Sequence, residues 1–159
     1  MTMEQKILLR LQFLVRVVRK ECKHLNTTDQ RLFGSLFTLE QATRLEEDPD
    51  LAERVEAFVG RFSRLQDTVG DKLLPLLLTA LGERPSAAID NLDRAERLGL
   101  IKSADEWMTM RNLRNQMVHE YIEDLVVLSS ALQTGHAFVQ TLIAAANKMI
   151  AEIARRGWA

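Results

Sequence analysis

The sequence has a single cysteine and few histidines, and its apolar residues are interrupted by charges near the N-terminus. Cys22 is the only cysteine among 159 residues, so no disulfide forms within the chain, and no Cys/His cluster has the spacing of a structural zinc site. Arg10, Arg16 and Arg19 interrupt the apolar residues near the N-terminus, which therefore resemble neither a signal-peptide core nor a transmembrane span. We expect a cytoplasmic protein without a membrane partner, a metal or a cofactor.

A large excess of charge of either sign is also missing. The formal net charge is −1, which argues against a protein that coats nucleic acid through bulk attraction. The charges are nevertheless uneven, and they fit either two solvated helix faces or a basic rim for a polyanion with an acidic patch for a basic partner. The basic cluster is Lys6, Arg10, Arg16, Arg19, Lys20 and Lys23, and the acidic cluster is Glu46, Glu47, Asp48, Asp50, Glu53 and Glu56.

Strand-type alternation, internal repeats and low-complexity tracts are absent as well. A chain of 159 residues that is 47% hydrophobic suits one compact domain, residues 1–159, with a sizeable core. Apolar residues recur instead at intervals of three and four, the period of a helix with one buried face. The sequence predicts an all-α fold, an antiparallel helical bundle of five to six helices.

The first helices are predicted from periodicity and capping residues. One apolar stripe runs over residues 3–23, and Thr27 with Gln30 has capping-box spacing that would open a second helix reaching about Leu45. Asp48-Pro49 is the next start signal, because proline is favoured at the first helical position.

The third helix is expected to be long and irregular. Pro75 should kink or divide it, since the ring lacks a donor and clashes one turn back. Residues 73–78 are apolar nearly all round and must be covered on all sides. Central burial and a subunit interface both provide such cover, and we favour the interface.

Three further signals divide the second half of the chain. Residues 82–86 form a loop, and the short helix that follows ends at Gly99. Ser103 and Glu106 make a capping box that opens another helix. A last helix begins after residues 123–124, with Gly135 as a candidate break.

The helix after Ser103 contains an arginine where an apolar residue is expected. At about 100° per residue, Arg114 lies near the middle of an apolar arc. A buried guanidinium needs a carboxylate, an anion or a water-filled cleft. Asn112, Asn115 and His119 form a polar row on the neighbouring edge. The members of the arc are Trp107, Met110, Leu113, Met117, Val118, Tyr121 and Ile122.

Arg114, His119 and Tyr121 have the spacing Arg-x4-His-x-Tyr, and Asn115 adds a polar residue after the arginine. The motif resembles that of the HepT-like branch of the HEPN superfamily. The resemblance implies a dimeric helical protein that acts as a metal-independent endoribonuclease, the toxin of a toxin–antitoxin pair. It implies catalytic roles for Arg114, Asn115 and His119, and attachment of AMP to Tyr121 by a partner minimal nucleotidyltransferase. The alternative for Tyr121 is a core residue with its hydroxyl at the surface.

The residue types suit RNA cleavage. Without a metal, the reaction needs a proton acceptor and a proton donor, which imidazoles provide, and a fixed positive charge on the phosphate, which a guanidinium provides. Asn115 would hold the ring or donate to phosphate. Five residues separate Arg114 from His119, which places them about 140° apart on a helix. A distorted helix, a bent arginine or a site shared between two subunits would bring them together.

Other functions remain open at this stage. The same bundle could be a non-catalytic nucleotide- or substrate-binding subunit of a nucleotidyltransferase, or an interaction protein that dimerises through its third helix. His24, at the end of the first helix, and His136 are expected to be structural. Asp67 and Asp71 should form a solvated edge, with pairing to Arg111 or Arg114 as the alternative. Arg111 either adds charge for phosphate or is an ordinary surface arginine.

Overall fold

The computed structural model describes residues 1–119 and 123–159, and of His119 only the helical backbone. Within these ranges the protein is all-α, with six helices and no strand, which confirms the predicted class and helix number. Their bounds are α1 Met3–Leu32, α2 Leu39–Thr43, α3 Pro49–Asp67 continued by a π-helical turn Thr68–Leu73 and by Leu74–Ala80, α4 Ala88–Arg97, α5 Ala104–His119 and α6 Leu125–Arg155.

The long helices α1, α3 and α6 pack around one core. Helix α1 contacts α3 and α6, and α5 lies against α3 and α6. Helix α6 is long and apolar enough to cross a membrane by length and composition alone, but its apolar stripe packs inside this bundle. The largest fully buried side chains are Phe37, Phe58, Phe62, Leu11, Leu25, Leu65, Leu73, Leu74, Leu77, Leu78, Met110 and Met117.

The predicted boundary between the first two helices is wrong. Helix α1 continues to Leu32, and the hydroxyl of Thr27 donates to the carbonyl of Lys23 at 3.0 Å instead of capping a helix. Threonine can make this bond inside a helix, so its letter alone does not fix an N-terminus. The capping box belongs to Thr38 and Gln41, which open the short α2.

The start of α3 is confirmed, and Pro75 changes its course without dividing it. Asp48 accepts from the Leu51 amide at 3.1 Å, and Pro49 is the first helical residue. Just before Pro75, the amide of Leu74 donates to the carbonyl of Val69, five residues back. The wider π turn accommodates the missing N–H and the bulk of the proline ring.

Most of the apolar segment 73–78 is buried by its own chain. Leu73, Leu74, Leu77 and Leu78 are completely inaccessible, and this part of α3 contacts α1, α4 and α6. Central burial therefore accounts for these four leucines, whereas Pro75 and Leu76 are half-buried and the subunit interface favoured from the sequence stays a prediction.

Local signals set the ends of the remaining helices. Gly99 has φ +76° and follows α4, as expected for a left-handed C-terminal residue. Ser103 accepts from the Glu106 amide at 3.1 Å and caps α5. Gly135 does not break α6. A Cβ at Gly135 would lie 3.2 Å from the sulfur of Met117, so the glycine permits a close approach of α5.

Candidate functional site

Helix α5, which carries the motif, is positioned by its apolar face. Trp107 lies against the π turn of α3, where a Cβ on Gly70 would be only 3.1 Å from the indole carbon Cζ2. Met110, Leu113 and Met117 are buried on the same face, as predicted. Val118 is 48% exposed and does not belong to the buried arc.

Arg114 has a carboxylate partner on α3. Its Nη2 donates to Oδ2 of Asp67 at 2.7 Å, and its Nη1 donates to Oδ1 of Asn115 at 3.0 Å. The expectation of a solvated edge is therefore wrong for Asp67, and the alternative of pairing with Arg114 is correct. Asp71, one turn on, is exposed. Because Asp67 belongs to the same chain, no second copy is needed to balance the charge of Arg114.

The ion pair is only partly shielded from solvent. The side chain of Arg114 is 29% exposed and that of Asp67 is 44% exposed. A pair of this kind contributes about 1 kcal/mol or less to stability. Its clearer consequence is orientation, since the guanidinium has a planar fork that two acceptors hold in a defined direction.

Unused hydrogen-bonding capacity lies close to this pair. Among the described residues, Nε of Arg114 and both amide atoms of Gln66 are buried without a partner. Gln66 precedes Asp67 on α3 and is only 2% exposed. An unpaired buried polar atom costs roughly 1–3 kcal/mol, so such atoms are uncommon except where a site has another role.

The polar row lies on the surface of α5, as predicted for Asn112 and Asn115, which are both exposed. The side-chain oxygen Oδ1 of Asn115 accepts from Arg114, so the side-chain nitrogen Nδ2 of Asn115 remains as a donor. Helix α5 stays α-helical through His119, so the first of the three explanations, a distorted helix, does not hold. The guanidinium bonds to Asp67 and to Asn115. Its relation to the side chain of His119 lies outside the described residues, so a bent arginine and a site shared by two subunits both remain predictions.

Two catalytic expectations lie outside the described residues. The side chain of His119 and the whole of residues 120–122 belong to that part, so the role of His119 and the modification of Tyr121 remain predictions. Within the part of the chain that is described, no group of three His, Cys, Asp or Glu side chains is placed to hold a metal ion.

The other two histidines are not hydrogen-bond partners of Arg114 or Asp67. His24 is exposed inside α1, not at a helix end, and its carbonyl accepts from Arg61 at 3.3 Å. His136 of α6 has Nδ1 2.7 Å from Oδ1 of Asp29 on α1 and stacks on Phe33 at 4.4 Å between centroids. The sequence pattern does not predict this pair, because 107 residues separate its members and no local spacing marks it.

The two charge clusters lie on the surface. All six residues of the basic cluster on α1 are exposed, and so are all six of the acidic cluster around the start of α3. Exposure fits both solvated charges and binding surfaces for charged partners, so both interpretations of the sequence pattern remain predictions.

Comparison of the chain with protein-family models, with curated proteins and with solved structures gives no match. The resemblance to HEPN proteins thus depends on the motif residues and on the helical class. The geometry around Arg114 is an independent observation, since it follows from no similarity to another protein.

Proposed function

We propose that the protein is a metal-independent endoribonuclease of the HEPN type, in which Arg114, Asn115 and His119 act on RNA. One observation carries the proposal. Arg114 lies on the helix that ends at His119, and Asp67 holds its guanidinium at 2.7 Å while 29% of the side chain stays exposed. An oriented, accessible cation is what stabilisation of a phosphate transition state requires.

The guanidinium has donors to spare for a phosphate. Arginine carries five N–H donors, of which one bonds to Asp67 and one to Asn115. The Nε–H is buried, so the remaining donors on the two terminal nitrogens are available to phosphate oxygens. Asp67 thus positions Arg114 and leaves it able to bind substrate, and the free amide nitrogen of Asn115 adds a further donor.

The proton transfers fall to His119. The imidazole removes the proton of the 2′-hydroxyl, whose oxygen attacks phosphorus, and the imidazolium returns a proton to the 5′-oxygen as the P–O bond breaks. Two copies of α5 across a shared groove would place His119 of one copy near Arg114 of the other, and symmetry would give two such sites, each with one arginine and one histidine.

Regulation by a partner completes the proposal. The minimal nucleotidyltransferase expected from the resemblance would attach AMP to Tyr121, two residues beyond His119. The added phosphate and bulk would compete with RNA for Arg114 and silence the toxin.

A second function is favoured by the charge of the site. Asp67 neutralises Arg114 in part, and the whole chain carries a net charge of −1. Such a site suits one phosphate group better than a long polyanion. The protein would then be a non-catalytic nucleotide- or substrate-binding subunit of a nucleotidyltransferase.

Cleavage of a fluorescently labelled single-stranded RNA in the presence of EDTA tests the proposal. We expect cleavage that EDTA leaves unchanged and that Arg114→Ala and His119→Ala each slow by about 100-fold or more. The matched controls are Arg97→Ala and His24→Ala, both at exposed positions whose side chains do not bond to Arg114, Asp67 or Asn115, which should cleave at the wild-type rate.

Two outcomes would overturn the ribonuclease proposal. One is cleavage that His119→Ala does not slow. The other is binding of a nucleotide monophosphate without cleavage by the wild-type protein, lost in Arg114→Ala and kept in His119→Ala, which would establish the second function.

A further inference from the structure

A cavity lies beside the N-terminal half of α5, before the motif. It has a volume of about 530 Å³ and opens between the α4–α5 connection, the first turns of α5 and the middle of α6. Its apolar wall comes from Leu100, Ile101, Trp107 and Met110, which are all buried residues. Met110 is one helical turn before Arg114, or about 6 Å along the helix, but Arg114, Asn115 and Asp67 are not among the lining residues, so the cavity and the proposed ribonuclease site do not share a residue.

Local features of the chain create this space. Gly99 turns the chain sharply after α4 with φ +76°, so that Leu100 and Ile101 point inward at once. On the facing side α6 presents the small residues Ala144 and Ala145. The small side chains of Ala144 and Ala145 therefore leave the space next to Trp107 unfilled by the protein.

Two lysines stand at the mouth. Lys102 of the α4–α5 connection and Lys148 of α6 both line the cavity and are both exposed. Neither forms an ion pair with a carboxylate of the described residues. Glu106 is the acidic residue among the lining side chains, so the mouth carries one net positive charge. The first turn of α5 adds no free positive end, because Glu96 accepts from the Ala104 amide at 2.8 Å and Ser103 accepts from the Glu106 amide, so the two lysines are the groups available to an anion.

We propose that this cavity binds a small apolar monocarboxylate, with its carboxylate between Lys102 and Lys148 and its hydrocarbon body against Trp107 and Met110. Ligand cavities are typically 300–1,000 Å³ in volume, mostly apolar, with a few polar groups that fix orientation. One net positive charge matches a monoanion better than a phosphate dianion. Burial of the hydrocarbon supplies the binding energy, and the lysines select the charged head.

Tryptophan fluorescence gives a direct test with decanoate as the probe. The chain has two tryptophans, so the Trp158→Phe variant leaves Trp107 as the only reporter. We expect a saturable change of its emission with decanoate, and an affinity for uncharged decanol about tenfold lower. A non-saturable response, or equal affinities for decanoate and decanol, would overturn the proposal.

Two pairs of variants, all built on Trp158→Phe, locate the binding. Ala144→Phe fills the cavity from an exposed position and should abolish the response, whereas Ala151→Phe, at an exposed position elsewhere on α6, should preserve it. The double variant Lys102→Ala with Lys148→Ala should weaken decanoate about tenfold and leave decanol unchanged. Lys20→Ala with Lys23→Ala on α1 is its charge-matched control.

Each result has a defined meaning. Circular dichroism establishes that each variant is folded, and the lysine pair, at exposed positions, keeps the test valid if Ala144→Phe does not fold. Equal decanoate affinity in both lysine double variants, or binding that survives in a folded Ala144→Phe variant, would place the probe elsewhere and refute the site.

Discussion

Asp67 controls the direction of Arg114 more than the stability of the fold. Replacement by asparagine keeps the shape of the side chain but removes the charge that holds Nη2 at 2.7 Å. We expect Asp67→Asn to lower kcat for RNA cleavage about tenfold, because a loosened guanidinium meets the phosphate less often in the productive direction. The free energy of unfolding should change by less than about 1 kcal/mol, since both partners are partly exposed.

Steady-state cleavage kinetics and urea unfolding measure the two quantities. Asp71→Asn is the control, because Asp71 is an exposed aspartate one turn along the same helix. An unchanged kcat in Asp67→Asn would show that Asp67 does not position Arg114 for catalysis.

Glu21 is a charged residue that the fold holds at a cost. Burial raises the pKa of Glu21 above its usual 4.5, although Thr68 donates to it and Arg64 and Lys72 lower it. Its Oε2 is buried without a partner among the described residues. The folded state therefore binds the proton of Glu21 more tightly than the unfolded state does. The stability that this protonation contributes is complete below the unfolded pKa, and it is lost as the pH rises through the folded pKa.

Replacement of Glu21 by glutamine should remove the stability loss that ionisation of its carboxyl group causes at neutral pH. We expect Glu21→Gln to raise the free energy of unfolding relative to the wild type at about pH 7, and to give no such gain at about pH 4, where the carboxyl group is largely protonated in both states. Urea unfolding at the two pH values measures the difference. An equal effect at both would mean that the carboxylate charge is not what destabilises this position.

At the scale of the elements, two glycines of α3 should respond oppositely to the same substitution. A Cβ on Gly70, in the π turn, would lie 3.1 Å from Cζ2 of Trp107, so the buried indole would have to shift by a few tenths of an ångström. A Cβ on Gly60 would meet nothing within 4 Å. We expect Gly70→Ala to destabilise the protein by about 1–3 kcal/mol, and Gly60→Ala to stabilise it by up to about 1 kcal/mol.

Chemical denaturation of both variants makes this comparison. Helix propensity favours alanine at both positions. The difference between the two changes in the free energy of unfolding therefore reports the packing of α3 on α5. A stabilised Gly70→Ala variant would mean that the π turn can move without cost, and that Trp107 does not fix the position of α5.

Local signals explain which elements the sequence predicts well. Asp48-Pro49, Ser103 and Gly99 mark helix ends through contacts within four residues, and all three are correct. Thr27 is a residue type that often caps helices, but it lies inside α1. Burial of the continuous apolar stripe from Leu11 to Leu32 outweighs the alternative of a new helix that begins at Thr27. The apolar period therefore predicts faces of helices better than it predicts their ends.

At the scale of the whole molecule, contacts between distant segments limit what the sequence reveals. The motif pointed to Arg114 because a cation interrupted an apolar arc, and a carboxylate was one of its three expected partners. Asp67, 47 residues away, was named as a partner only as an alternative. The contact of Asp29 with His136 was not predicted at all, since nothing in the helical period of α1 or α6 couples the two residues.

The shared groove makes a prediction about pairs of inactive chains. In a dimer whose sites each combine Arg114 of one copy with His119 of the other, mixing Arg114→Ala with His119→Ala produces heterodimers that contain one intact site. We expect the mixture to cleave RNA well above the rate of either variant alone, after brief exposure to a denaturant concentration that exchanges subunits.

The control is a chain that carries both substitutions, mixed with the wild type. The heterodimers of this mixture contain no site with both Arg114 and His119. Sedimentation of the wild type establishes whether two copies associate at all. If the chains dimerise and exchange but the mixture of single variants stays inactive, each site is built within one chain. Arg114, whose guanidinium bonds to Asp67 and Asn115, would then act with the His119 of its own chain.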